Sequence, residues 1–399
     1  MLWGQASRPL SSEQLKGIGE HKYSCIGSSV CEKPMQAFWC ALVPYIPEWI
    51  APNTLTLTGL IANIVSVFIV LCFSPDAQSN VPSWSLIFAA ISVFVYQTLD
   101  ALDGKQARKT NSSSPLGELF DHGCDAISTV VLQLGLSATI GLGEYPVIMF
   151  WQFFTLLTLF YVAHWQCYIT GTLEFARVDV TEAQFGAIFA FLVSSVFGVQ
   201  VWSIRLPLLH LPLKLFPFFL ILATSTCHIA KFYSTILTGG VGKSGTTVAN
   251  TSVLFPIFPF GIVILSSVMV AGRSPSALQS NYPVLFLTAF GFVGVKIIMK
   301  LVVTHMSRSE MTCLDSVLFG PFLLHLNQYF NCPIPEVFVL WCCCIWAIAD
   351  TLRYSAAVSL QLADYLNIYI FRVDKPPSKP PAKPAPVPGA PRTRSQWKR

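Results

Sequence analysis

Apolar residues in this chain run in long unbroken stretches, with neither the alternation of a half-buried strand nor the single stripe of a surface helix. Such stretches lie near 55–73, 84–100, 117–140, 147–170, 183–203, 213–237, 252–271, 283–304, 314–330 and 335–360. Each approaches the roughly 20 residues that cross a hydrocarbon core of about 30 Å. In lipid the backbone must satisfy its own polar groups, which leaves helices or a closed barrel. A barrel strand alternates, so continuous runs predict helices. The expected fold is therefore an all-α polytopic membrane protein of about ten transmembrane helices. The ninth run is the most interrupted, by Asp315, His325 and Asn327.

The flanks differ from this pattern. Residues 1–33 are polar and mixed in charge, with nothing that resembles a cleavable signal, so the first membrane helix is expected to act as the targeting signal. Pro34 to Ile50 carries Phe38, Trp39, Tyr45 and Trp49. It reads as a short helix in the headgroup layer or a loop packed on the bundle. The expected organisation is a cytosolic N-terminal segment with an interfacial helix (1–50), a membrane domain (51–372), and a disordered Pro/Lys-rich cytosolic tail (373–399). The tail lacks apolar residues to bury. It serves as a solvated spacer or a weak contact for anionic lipid.

Composition strengthens the membrane reading. Of 399 residues, 53% are hydrophobic and 11% charged, against about 25% charged in soluble domains. The net charge of +5 owes much to the tail, where seven Lys or Arg follow Asp374. No basic stripe with interleaved aromatics exists, so nucleic acid is excluded as a partner. The twelve cysteines are scattered through apolar runs without paired C-x-x-C spacing, as small hydrophobic filler would be. In alternate loops, one side of the membrane holds Lys105, Arg108, Lys109, Arg177, Lys243 and Arg308. The other holds Arg205, Lys214 and Arg273. The richer side, with both termini, is expected to face the cytosol. The sequons at Asn111 and Asn250 fall on that side and are expected to stay unmodified.

Against this background four acids stand out. Asp100, Asp103, Asp121 and Asp125 lie within 26 residues, at the ends of two apolar runs joined by a short loop. Asp100 and Asp103 are spaced i, i+3, and Asp121 and Asp125 i, i+4, so each pair shares a helix face. The short loop predicts antiparallel neighbours and one shared pocket. Four carboxylates converging in low dielectric repel unless cations sit among them. Carboxylate oxygens suit Mg²⁺ or Mn²⁺, and a two-metal site clamps the oxygens of a phosphoryl displacement. Gly104, Ala107 and Gly117 lack bulk, admitting a nucleotide or a facing helix. Arg108 and Lys105 are positioned to meet a diphosphate, Arg as a fork and Lys as a point charge. The bland alternative is a solvated rim beside ordinary positive-inside charge.

The full pattern is Asp-x2-Asp-Gly-x2-Ala-Arg-x8-Gly-x3-Asp-x3-Asp, whose chance occurrence is far below about one in a million at residue frequencies of about 5%. It resembles the signature of the CDP-alcohol phosphotransferase family at every defining position. Ala51-Pro-Asn53, Gly104-Lys-Gln-Ala-Arg108, Ser114 to Asp125, Ala163-His-Trp-Gln166, Val178 to Glu182 and Lys300 to His305 resemble its eukaryotic choline/ethanolamine branch. All but the first twenty residues and the tail are covered.

The resemblance implies a ten-span homodimer, open to cytosol and bilayer, that transfers phosphocholine or phosphoethanolamine from CDP-choline or CDP-ethanolamine to diacylglycerol. The endoplasmic reticulum membrane is the expected location, with the Golgi as alternative. Asp100, Asp103, Asp121 and Asp125 would hold the two metals, and Asn53 and Glu118 would touch the CDP-alcohol. His122 would be the general base, with Asp125 as the alternative proton acceptor. Glu118, or Tyr96 by cation–π contact, would meet a quaternary ammonium. His164 and His305 line the lipid entrance or hydrogen-bond across spans. An enzyme restricted to ethanolamine is a near rival. A transporter is a distant one, since neither internal repeats nor mid-span helix breaks are seen.

Overall fold

The computed structural model describes residues 8–174, 178–207 and 210–374. Arg177 and the tail from 375 onward lie outside the described residues. Among the described residues thirteen α-helices follow in order: α1 (Ser12–Gly19), α2 (Glu32–Leu42), α3 (Pro52–Phe73), α4 (Ser83–Lys109), α5 (Pro115–Thr139), α6 (Pro146–Thr170), α7 (Val180–Phe197), α8 (Phe216–Leu237), α9 (Ile257–Arg273), α10 (Leu278–Asn281), α11 (Pro283–Ser307), α12 (Phe319–Tyr329) and α13 (Glu336–Leu366). Strands β1 (Cys25–Ile26) and β2 (Leu173–Glu174) pair in parallel, with Cys25 opposite Leu173.

Local chemistry explains several helix starts. Proline stands in the first turn of α3, α5, α6 and α11, where its missing N–H has no partner to lose. Ser114 caps α5 by accepting from the Gly117 amide at 3.3 Å, and Asp179 and Glu182 form a capping box on α7. α4 outruns its apolar stretch, running 27 residues from Ser83 to Lys109, so the whole Asp100–Arg108 segment rides on one helix.

Among the described residues, α3, α4, α6, α7, α11, α13 and a stretch running from Leu213 through α8 are long and apolar enough to cross a membrane. α5 is 25 residues long but carries Glu118, Asp121, His122 and Asp125; α9 has 17 residues. The expected ninth span is corrected. In place of a continuous run over 314–330 there is a 3-10 turn capped by Asp315 and then α12, 11 residues long. At 1.5 Å per residue it spans about 16 Å, roughly half a hydrocarbon core. Asp315 caps the start of this piece, while within α12 His325 bonds Ser266 on α9 at 2.8 Å and Asn327 ties the helix end to Ile334 through both ends of its amide.

α11 is the central post of the bundle, with 83% of its apolar window buried, against 17% for the stretch containing α8. Glycines permit that packing. A Cβ on Gly291 would lie 2.7 Å from Phe153, and one on Gly294 2.8 Å from Leu157, both on α6. α11 also carries Lys296, 1% exposed, which pairs with Asp350 of α13 and lies 2.7 Å from Asp315. Lys300 adds a second bond to Asp315 at 2.8 Å. Burial pushes the Asp315 carboxyl up, but Lys296, Lys300 and the Val317 amide prevail and hold it at about 2. Breaking such a buried set by removing one partner costs about 3–5 kcal/mol.

The described part of the N-terminal segment is tied to the bundle. α1 packs on α11 and α13, and the Leu10 backbone exchanges two hydrogen bonds with Gln361. The aromatic stretch before α3 folds as α2 and a 3-10 turn, burying Trp39 and leaving Tyr45 and Trp49 exposed.

Candidate active site and metal centre

The end of α4 presents Asp100 and Asp103, and the start of α5 presents Asp121 and Asp125. One oxygen from each of Asp100, Asp103 and Asp121 lies within 4.8 Å of the others. The expectation that α4 and α5 are packed neighbours is corrected, because their backbones scarcely meet. α3 lies along both instead. A Cβ on Gly59 would stand 3.1 Å from the Tyr96 Cα, and one on Gly135 2.9 Å from Val67. These two glycines let α3 press against α4 and α5, so the carboxylates face each other across a gap.

Neutral donors orient two of the acids. Thr56 on α3 donates to Asp103 Oδ2 at 2.5 Å, and Tyr96 on α4 donates to Asp125 Oδ1 at 2.6 Å. Asp125 stands outside the group of three. Asp100 Oδ1 and Asp121 Oδ1 are buried without a hydrogen-bond partner among the described residues. Buried polar atoms are seldom left unpaired without reason. Oxygen donors gathered in one place, two of them orphaned, fit a hard divalent cation.

Histidines crowd the next turn. His122 Nδ1 lies 3.2 Å from Nε2 of His164 on α6, whose Nδ1 lies 3.0 Å from the Phe160 carbonyl. His305 Nε2 on α11 is 3.5 Å from Cys167 Sγ. Of the two readings given to His164 and His305, both make contacts between helices. His21, from the segment after α1, bonds Glu118 at 3.0 Å and meets His305 edge to face at 5.3 Å. Tyr23 meets the His122 ring edge at 6.3 Å.

The other sequence-derived residues divide. Asn53, in the first turn of α3, is buried and donates to the Ile370 carbonyl at 3.0 Å. Gly117 faces it: a Cβ there would lie 3.7 Å from Asn53 Oδ1. Around Gly104 the nearest atom belongs to Arg108, at 3.6 Å, so no facing helix uses that space. Arg108 is exposed at the end of α4. Lys105 turns toward α2, bonding the Ala101 carbonyl and standing 5.5 Å from the Trp39 ring centre. Thr56, His21 and Tyr23 were not legible in the sequence. Thr56 had a faint signal in its position one turn beyond Asn53; the other two had none.

A family model described as CDP-alcohol phosphatidyltransferase matches residues 49–230, a stretch that contains all four aspartates and His122. The chain is 47% identical to cholinephosphotransferase 1 of Xenopus laevis over 365 residues, 92% of this chain and 91% of that one. It is 42% identical to cholinephosphotransferase 1 of Homo sapiens over 366 residues, 92% and 90% of the two chains. A Dictyostelium discoideum protein, described as an uncharacterized CDP-alcohol phosphatidyltransferase class-I family protein, is 29% identical over 92% of this chain and 88% of its own.

Proposed function

Because the chain belongs to the CDP-alcohol phosphatidyltransferase family, we propose that it transfers phosphocholine from CDP-choline to the free hydroxyl of diacylglycerol, releasing CMP and phosphatidylcholine. The observation that carries this reading is the cluster of Asp100, Asp103 and Asp121, with two buried oxygens that lack partners. Phosphocholine is favoured as the group moved by the names of relatives that match nearly end to end. CDP-ethanolamine is a second donor of the same chemistry, giving phosphatidylethanolamine. An enzyme for ethanolamine alone is the narrower alternative.

Asp100, Asp103, Asp121 and Asp125 would hold two Mg²⁺ or Mn²⁺ ions. Bound there, the ions supply positive charge to a diphosphate and to the phosphate that leaves. Arg108 offers a bidentate fork to the same diphosphate, and Gly104 leaves room for it. Asn53, Gly117 and Glu118 border the CDP-alcohol, while Lys105 contributes charge from the flank. His122 takes the proton from the diacylglycerol hydroxyl. The freed oxygen forms a bond to the β-phosphorus, the diphosphate P–O bond breaks, and CMP departs with the electron pair. Asp125 is the weaker candidate for proton acceptor, since Tyr96 already engages one of its oxygens.

The protein works as a homodimer in the endoplasmic reticulum membrane, or alternatively the Golgi, with this end of the bundle toward the cytosol. Diacylglycerol enters from the bilayer and the nucleotide from water. The test is CMP release by purified protein given diacylglycerol, with CDP-choline and CDP-ethanolamine compared at equal concentration. Turnover of either establishes the transfer, and their ratio sets the donor. No CMP from either, with divalent metal present, overturns the proposal.

A further inference from the structure

The two ring nitrogens of His122 are not equivalent, and the neighbouring helix decides between them. The Phe160 carbonyl oxygen can only accept a hydrogen bond, so the His164 Nδ1 that lies 3.0 Å from it carries a proton. His164 is 7% exposed, and its two ring nitrogens meet the Phe160 carbonyl and His122, neither of them a carboxylate, so it is read as the neutral ring. Its Nε2 is then bare and can only accept. That nitrogen stands 3.2 Å from His122 Nδ1. His122 Nδ1 must therefore donate, which leaves Nε2 of His122 as the bare, basic nitrogen.

The geometry points to His164 as a positioning residue for the transfer: through the Phe160 carbonyl, it fixes which nitrogen of His122 is free to take a proton. This rests on His122 being the general base. The arrangement is a directional chain, from His122 on α5 through His164 to a backbone oxygen on α6. Ring packing holds it in place. Phe160 lies against His164 with centroids 4.5 Å apart, and His122 and His164 meet edge to face at 5.0 Å. Without an acceptor at Nδ1, an imidazole side chain favours the form protonated at Nε2. In that form His122 could not accept the hydroxyl proton through the nitrogen opposite the chain.

Two substitutions separate this role from packing. In His164→Gln the side-chain oxygen can occupy the place of Nε2 and accept, whereas His164→Leu keeps the bulk and loses the acceptor. Kinetics with CDP-choline and diacylglycerol are paired with two-bond ¹H–¹⁵N spectra of full-length protein labelled with [¹⁵N]histidine. The His122 signals are assigned by their loss in His122→Gln. The wild type is expected to show His122 protonated at Nδ1. His164→Leu is expected to lose about 10- to 100-fold in kcat, the range for partners that orient a working histidine. Its KM for CDP-choline should stay within about twofold, and its His122 proton should move to Nε2. His164→Gln should recover most of the loss.

A wild-type His122 protonated at Nε2 overturns the inference. So does His164→Leu with full kcat, or with lowered kcat but an unmoved His122 proton. If His122→Gln itself turns over normally, the general-base reading fails. If His122→Gln is inactive while His164→Leu is normal, only the role of His164 falls. The wild-type spectrum decides the matter even if His164→Leu does not fold.

Discussion

The Tyr96 phenol reaches from α4 to Asp125 Oδ1 on α5, 2.6 Å away, between two helices whose backbones scarcely touch. It engages one lone pair of Asp125 Oδ1 and helps to orient the carboxylate beside the cluster of three. An aromatic one turn before Asp100 thus serves the far helix, in addition to the packing that any buried tyrosine supplies.

Removing that phenol should act on metal binding more than on folding. Tyr96→Phe keeps the ring in its place against Gly59 and deletes the donor alone. Activity at low Mg²⁺ is expected to fall about 10- to 100-fold, with partial recovery as Mg²⁺ is raised. A titration of rate against Mg²⁺ reads this directly. An unchanged curve would detach Tyr96 from the centre.

The aspartates should tolerate neutral replacement structurally but not catalytically. Asp121→Asn relieves like-charge repulsion, so its thermal midpoint in detergent should equal or exceed that of the wild type. Its turnover should drop by at least about 10³-fold, as expected where a charged ligand is lost from a phosphoryl-transfer centre. Asp100→Asn should behave alike. Wild-type rates in either variant would remove the metal assignment.

Chelation should be reversible. Excess EDTA should abolish CMP release, and Mg²⁺ or Mn²⁺ should restore it. Full activity in chelator would mean that the orphaned oxygens of Asp100 and Asp121 meet some other need.

Acid should loosen the packing of α11 through Asp315. Its carboxyl is held at about 2, below its ordinary 3.8, by Lys296 and Lys300. A depressed acid contributes stability that is fully present above its unfolded value and lost as pH falls through the folded one. The wild type should therefore lose thermal stability between about pH 4 and pH 2 more steeply than Asp315→Asn, which lacks this contribution at every pH. Parallel slopes for the two proteins would show that the pairing has no part in acid sensitivity.

What the sequence made legible was what local geometry governs. Apolar runs located most of the helices, because lipid leaves a backbone few choices. Spacing put Asp100 with Asp103, because a helical turn is fixed. What escaped was non-local. The place of α3 between α4 and α5 depends on Gly59 and Gly135 meeting particular partners, and no period encodes that. His21 reaches Glu118 from 97 positions away, out of a polar segment with no motif of its own. Lys105 looked suited to a phosphate by charge, and nothing local announced that its Nζ stands 5.5 Å from the centre of the Trp39 ring. α12 read as a span because residues such as Leu323 and Leu324 conceal how short a helix they occupy.

Ile370 holds Asn53 by its carbonyl, and Gln361 grips Leu10, so the segments before α1 and after α13 are both moored to the bundle. A fluorescent reporter or affinity handle joined directly after Asp374 would sit four residues from a bond that steadies Asn53. A spacer long enough to carry such a cargo clear is therefore a requirement for any fusion whose kinetics are to be compared with the untagged protein.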